Sequence, residues 1–302
     1  MQSGRNEVSN VVEINNLTHY YGERLIFENL SFNIREGSIF GLLGKNGTGK
    51  TTTINILNGF LKPKSGKCLM FGEDSYTLSP ATKARVGFLI EGHVQYSFMN
   101  IKQIEKYYAA FYPKWKKEAY YELMSKLAVT EHQKLSKMSC GQRSQVALGL
   151  ILAQDPDLLI LDDFSMGLDA GYRRLFIDYL TEYAKAEGKT IFITSHIIQD
   201  LENFLDDCIV LDYRSVLLTM PVKEFLATFK QFKFDVADPL SQFPKDNVVK
   251  NVEKVKNRVS IYTFSNLDEI EHYLNARGIT FSALQQVPMS LEDAFIGLTG
   301  KY

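Results

Sequence analysis

Residues 38–57 read SIFGLLGKNGTGKTTTINIL, and the architecture follows from them. Ile39-Phe40-Gly41-Leu42-Leu43 is an apolar, β-leaning run that breaks at glycine, and TTTINILNGF after it is a helix-forming stretch. A strand, a glycine-rich loop and a helix in succession open a parallel α/β sheet. The loop, Gly44-Lys45-Asn46-Gly47-Thr48-Gly49-Lys50-Thr51, matches G-x-x-x-x-G-K-[ST] at every fixed position. Its glycines let backbone N–H groups turn inward and approach phosphate oxygens closely. The following helix points its N-terminal N–H groups at the same oxygens. In such a loop Lys50 reaches the β- and γ-phosphates and the Thr51 hydroxyl ligates magnesium, with Thr52 next in line. A chance match in an ordinary turn would lack the strand before and the helix after.

Working outward, residues 11–14 and 30–34 read as short strands, the second alternating apolar and polar in LSFNI. After ARVGFLIE, residues 100–127 carry Ile101, Ile104, Tyr107, Tyr108 and Phe111 at helical spacing, which predicts a mainly helical insertion over about 92–155. LLILD then reads as a strand, 172–186 as a helix, TIFIT as a strand, 197–204 as a helix and CIVLDYRSVLL as a hairpin. Alternating strands and helices imply βαβ crossovers. From about Lys230 the texture changes to FKFDVAD, NVVKNVEKV, RVSIYTF and ITFSALQQV with one helix, DEIEHYLNARG, ending at Gly278. The expected division is a large domain over 11–229 and a small α+β unit over 230–302.

Composition narrows the function. Lys+Arg (34) and Asp+Glu (35) nearly cancel, so no overall field favours nucleic acid. Cys68, Cys140 and Cys208 are far apart, with neither a CxxC pair nor a Cys/His cluster, which argues against zinc and disulfides and suits a reducing cytosol. MQSGRNEVSN lacks the apolar core of a signal peptide. No apolar run approaches the roughly 20 residues that cross a bilayer.

Further motifs follow in order: Ser139-Cys140-Gly141-Gln142-Arg143 before a helical stretch, LLILDD over 158–163, Ser165-Met166-Gly167-Leu168-Asp169, and Thr194-Ser195-His196 ending a strand. Together these resemble the ABC transporter ATPase family, with Walker A, Q-loop, signature, Walker B, D-loop and H-loop over roughly residues 11–220. SLEDAFIGLTG, 290–300, resembles the ending of ATPases that serve export-type permeases. The resemblance implies an α/β P-loop NTPase fold with a parallel core sheet, an antiparallel β subdomain and a helical subdomain. It implies that Tyr21 stacks on adenine, that Asp162 holds magnesium, and that His196 contacts the γ-phosphate. Asp169 falls in the loop that communicates across a dimer. The signature residues Ser139, Gly141 and Gln142 would reach ATP held by a partner subunit, identical or a paralogue. ATP then glues a head-to-tail pair beneath a separate transmembrane permease, placing the chain at the inner face of the membrane.

Three positions depart from the family pattern. Asp163 stands where glutamate is usual; it can polarise the attacking water but is one methylene shorter, so slow turnover is expected. Glu91 in GFLIEG replaces the Q-loop glutamine, adding a charge at a position that offers oxygen to magnesium. Cys140 replaces a glycine or another family residue in the signature and reads as a small packed side chain. Aromatics at helical spacing such as Tyr107, Tyr108 and Phe111 are core residues by default, whereas Tyr96, Phe98 and Met99 in HVQYSFMN suit a groove for the permease. Two other functions compete: an ABC ATPase acting away from membranes, disfavoured by the single P-loop and the lack of sustained heptads, and an ATP-clamped switch that barely hydrolyses.

Overall fold

The structure is a computed structural model that describes residues 9–89, 96–126, 130–164, 168–237, 243 and 245–300. At its centre lies a six-stranded sheet in the order β10-β9-β3-β8-β7-β6. Its strands are β3 (Ile39–Gly44), β6 (Val86–Leu89), β7 (Leu158–Asp162), β8 (Thr190–Ser195), β9 (Asp207–Asp212) and β10 (Ser215–Pro221). All neighbours run parallel except the β9–β10 hairpin. Side chains alternate faces along a strand, and here both faces are apolar, as parallel sheets require. Phe40, Leu42, Leu158, Ile160 and Phe192 enter one core; Ile39, Leu43, Leu159, Leu161, Ile191 and Ile193 enter the other.

The first core is closed by an antiparallel sheet, β2-β1-β4-β5, and by α1 (Lys50–Leu57). Its strands are β1 (Asn10–Tyr21), β2 (Arg24–Arg35), β4 (Ser65–Met70) and β5 (Glu73–Asp74), followed by α2 (Pro80–Lys83). The expected short strands are therefore parts of one long hairpin. Asn16 and Asn29 take left-handed φ of 50° and 54°, and the register shifts between Ile14 and Leu17. These irregularities break the period-2 pattern that would have revealed continuous strands.

The second core is covered by α3 (Ile101–Ala109), α4 (Lys117–Ser125), α5 (Cys140–Ala153) and α6 (Ala170–Glu187). Residues 197–204, expected as a helix, form consecutive turns instead. Ile198, Leu201 and Phe204 are buried at helical spacing, but they are linked by i→i+3 bonds such as Leu201 N–H to Ile198 O. Side-chain bonds outward, Asp200 to Arg173 and Glu202 to the Leu291 N–H, hold the irregular path. After α7 (Val222–Thr228) comes a third sheet, β12-β13-β11-β14, wholly antiparallel. It comprises β11 (Lys230–Val236), β12 (Val249–Val255), β13 (Arg258–Thr263) and β14 (Phe281–Val287), with a small core around α8 (Leu267–Ala276). The last helix, α9 (Leu291–Thr299), buries Leu291, Ala294 and Phe295 in the second core beside Phe225, Phe229 and Tyr262. No helix among the described residues is long and apolar enough to cross a membrane.

Candidate nucleotide site

The loop between β3 and α1 has the shape its glycines allow. Gly49 has φ of 99°, and a Cβ there would fall 2.7 Å from Ile26 and 2.8 Å from Phe27; a Cβ on Gly44 would fall 2.5 Å from the Thr48 hydroxyl. Lys50, the first residue of α1, donates from Nζ to the carbonyls of Gly44 (2.8 Å) and Lys45 (3.1 Å). Burial pushes the Lys50 pKa down, opposed by Asp163 and Asp162. Asn46, Gly47 and Thr51 are exposed, whereas Lys45, Thr48, Gly49 and Thr52 are buried.

Two acids face this loop. Asp162 ends β7 and is 3 % exposed. Burial raises its pKa, hydrogen bonds from Thr194 and Thr51 pull it back, and the Asp163 charge raises it. An acid whose folded-state pKa lies above its unfolded value weakens the fold above that pH, because the protein then holds an unfavourable buried charge. Asp162→Asn removes that charge and keeps one acceptor oxygen, enough for the Thr194 hydroxyl, so differential scanning fluorimetry should show a higher melting temperature, roughly 2–4 °C for each kcal/mol relieved. The same variant should lose magnesium-dependent nucleotide binding; a lowered melting temperature would contradict this account.

Asp163 has φ of 43°, in the left-handed region that few non-glycine residues occupy. Its N–H donates to the Thr194 carbonyl (3.1 Å), and its Oδ1 accepts from the His196 N–H (3.1 Å) and lies 2.8 Å from His196 Nδ1. The two candidate catalytic residues are thus in direct contact, although their placement in sequence did not reveal it. Thr194 was not singled out. It pairs with Asp162 across β7 and β8, donates its hydroxyl to the Asp162 carboxylate, and receives the Asp163 N–H. Its place two residues before His196 was the available signal. Arg24 also reaches the edge of the loop: its guanidinium lies 3.7 Å from where a Cβ on Gly47 would be.

Tyr21 ends β1 beside a tight turn in which Gly22 has φ of 59°. Its ring is 49 % exposed and is braced edge-on by buried His19 at 4.9 Å. Burial first, and Lys64 second, lower the His19 pKa, so the brace is a neutral ring.

Ser139 caps α5 in a reciprocal box: its hydroxyl accepts the Gln142 N–H (3.2 Å), and its own N–H donates to Gln142 Oε1 (2.9 Å). Gly141 lies flat on Tyr172, where a Cβ would come within 2.6 Å of the ring. Cys140 is exposed at the first turn of α5. Asp169 caps α6 by accepting the Tyr172 N–H at 2.9 Å, so the helix start accounts for it locally. Glu91 lies outside the described residues. Tyr96, Phe98, Tyr107 and Phe111 are exposed, with Phe98 at 64 %, and Tyr96 and Tyr107 share a hydroxyl contact of 3.1 Å. The default assignment of Tyr107 and Phe111 to the core is overturned; Tyr108 and Met99 do pack on it.

Residues 27–165 match the ABC transporter family model. The chain is 30 % identical to the uncharacterized ABC transporter ATP-binding protein MJ1023 of Methanocaldococcus jannaschii, over 66 % of this chain and 73 % of that one. The chain belongs to the ABC transporter ATP-binding proteins. As such it is an ATPase whose hydrolysis is coupled to transport. It is also 27 % identical to the Nod factor export ATP-binding protein I of Sinorhizobium fredii, over 96 % of this chain and 86 % of that one. Among solved structures, cbiO1 from Clostridium perfringens, part of the ABC transporter complex cbiONQ, superposes with a TM-score of 0.62 at 24 % identity, covering 72 % of this chain and 91 % of that one. This ABC ATPase fold carries the phosphate loop and Walker B acids at the C-terminal ends of its parallel strands, where α/β sheets bind ligands.

Proposed function

We propose that two copies of this subunit, or one copy and a paralogue, close on ATP and thereby drive a separate transmembrane permease in the direction of export. The observation that carries this reading is the convergence of Lys50, Thr51, Asp162, Asp163 and His196, linked by the hydrogen bonds and charge interactions described above. Tyr21 offers an exposed ring to adenine, and residues 44–52 cradle the phosphates. The Thr51 hydroxyl and the Asp162 carboxylate, with Glu91, would hold magnesium. The fit is chemical: a buried acid with a raised pKa beside a second acid and an exposed hydroxyl suits a hard dication. That ion, when bound, offsets charge on the phosphates.

Asp163 takes the role of polarising the attacking water, and His196 orients it. The contact of His196 Nδ1 with Asp163 Oδ1 at 2.8 Å fixes the imidazole against the carboxylate and leaves the other ring nitrogen to meet the γ-phosphate. Ser139, Gly141 and Gln142, at the positive end of α5, would cap the γ-phosphate of the partner's ATP. The difference between ATP and ADP at that cap supplies the differential affinity a ligand-driven switch needs. Exposed Tyr96 and Phe98 suit contact with the permease, which would hold residues 11–229 at the inner face of the membrane, with 230–302 as an accessory unit. Export is supported by the likeness to the Nod factor export protein and by the SLEDAFIGLTG ending.

Light scattering on the Asp163→Asn chain tests the proposal. With magnesium and ATP, and with the membrane complex supplied, a dimer is expected, and Ser139→Arg should prevent it. A strictly monomeric loaded form would overturn the clamp. A second reading, a switch with little hydrolysis, is favoured by Asp163 itself and is separated from the first by the Asp163→Glu comparison below.

A further inference from the structure

The side chain of Lys45 turns away from the mouth of the phosphate loop. Only 8 % exposed, it donates from Nζ to the carbonyl of Thr299, 3.0 Å away. Thr299 is the last residue of α9, so this carbonyl is one of those a helix leaves unpaired at its negative end. The backbone carbonyl of Lys45 meanwhile accepts the Thr48 hydroxyl (2.9 Å), the Thr48 N–H (3.4 Å) and Lys50 Nζ (3.1 Å). One residue thus joins the end of α9 to the lysine that meets the phosphates.

The other end of α9 is tied as well. The Leu291 N–H donates to Glu202 Oε2 at 2.8 Å, six residues beyond His196. Between its ends α9 is seated without slack: a Cβ on Gly297 would stand 2.2 Å from the Tyr262 ring of β13. The helix therefore spans from the segment after His196 to the phosphate loop, and is itself fixed to the accessory sheet.

We infer that Lys45 is a positioning residue through which α9, and with it the accessory sheet, sets the conformation of the phosphate loop. This rests on the nucleotide-site reading above. Lys50 must leave the carbonyls of Gly44 and Lys45 to reach phosphate, so occupancy alters the loop from which Lys45 reaches α9. Coupling is reciprocal: a loop held by α9 changes nucleotide affinity, and nucleotide changes the stability of α9 by the same factor.

The test uses the full chain. Lys45→Met removes the donor, Lys45→Arg keeps one, and Gly297→Ala lifts α9 from Tyr262. Lys45→Met and Gly297→Ala should each raise KM for ATP by about 5-fold or more with kcat little changed. The double variant should be no worse than the poorer single one, as expected of residues acting in one chain of contacts. Lys45→Arg should restore most of the wild-type KM. In the wild type, saturating MgATP should change amide exchange of residues 295–300 by about 5-fold or more, and this measurement alone decides if Gly297→Ala does not fold. Effects that multiply independently, an unchanged KM in Lys45→Met, or α9 exchange indifferent to ATP overturn the inference. Failure of the wild type to bind ATP at all would instead sink the nucleotide-site reading.

Discussion

Asp163→Asn is expected to lower ATP turnover by on the order of 10²-fold or more while leaving MgATP bound, because the amide keeps the shape of the site and removes the carboxylate proposed to act as the base. The surroundings of Asp163 make this a sharp test. Its Oδ1 already accepts two donors from His196, and its backbone is held in a left-handed conformation by the Thr194 carbonyl. The position is over-determined, so the variant should change chemistry rather than geometry. Asp163→Glu moves the carboxylate outward by one methylene. If the wild type is an enzyme slowed by a short side chain, turnover should rise, by up to about 10²-fold for an ångström-scale correction. No rise from a near-zero rate would favour the clamp that hardly hydrolyses. Steady-state phosphate release measures both.

The second large effect is expected at Lys50. Lys50→Ala should reduce kcat by on the order of 10²–10³-fold, the usual cost of deleting one donor aimed at developing charge. Lys50 Nζ serves the carbonyls of Gly44 and Lys45, yet Lys45 O retains both Thr48 donors. The variant also relieves a buried ammonium whose pKa burial depresses. The melting temperature of Lys50→Ala should therefore stay close to that of the wild type while turnover collapses; a large drop in both would mean that the lysine is chiefly a strut.

The parallel sheet was legible because its strands are apolar on both faces, a signal that survives without knowledge of their partners. The phosphate loop was legible because glycine spacing and the lysine are local. What escaped notice is non-local. The length of the β1–β2 hairpin was hidden by bulges at Asn16 and Asn29. The stretch after His196 had helical spacing but spends its carboxylates on distant groups. Thr194 joins the site only because β7 and β8 are neighbours in register. The exposed ring cluster of Tyr96, Tyr107 and Phe111 carries the spacing of a buried face, and spacing alone does not say whether anything covers it.

Phe229, the residue before the accessory sheet begins, is 1 % exposed and stacks on Phe225 from one side of that boundary and on Tyr262 from the other. A protein trimmed there would bare Phe225, Phe229 and the bed vacated by Leu291 and Phe295, an oily scar prone to aggregation. Residues 230–302 thus share a core with the residues before them. Joining residues 230–302 to another ATPase would require that ATPase to bring a matching aromatic seam.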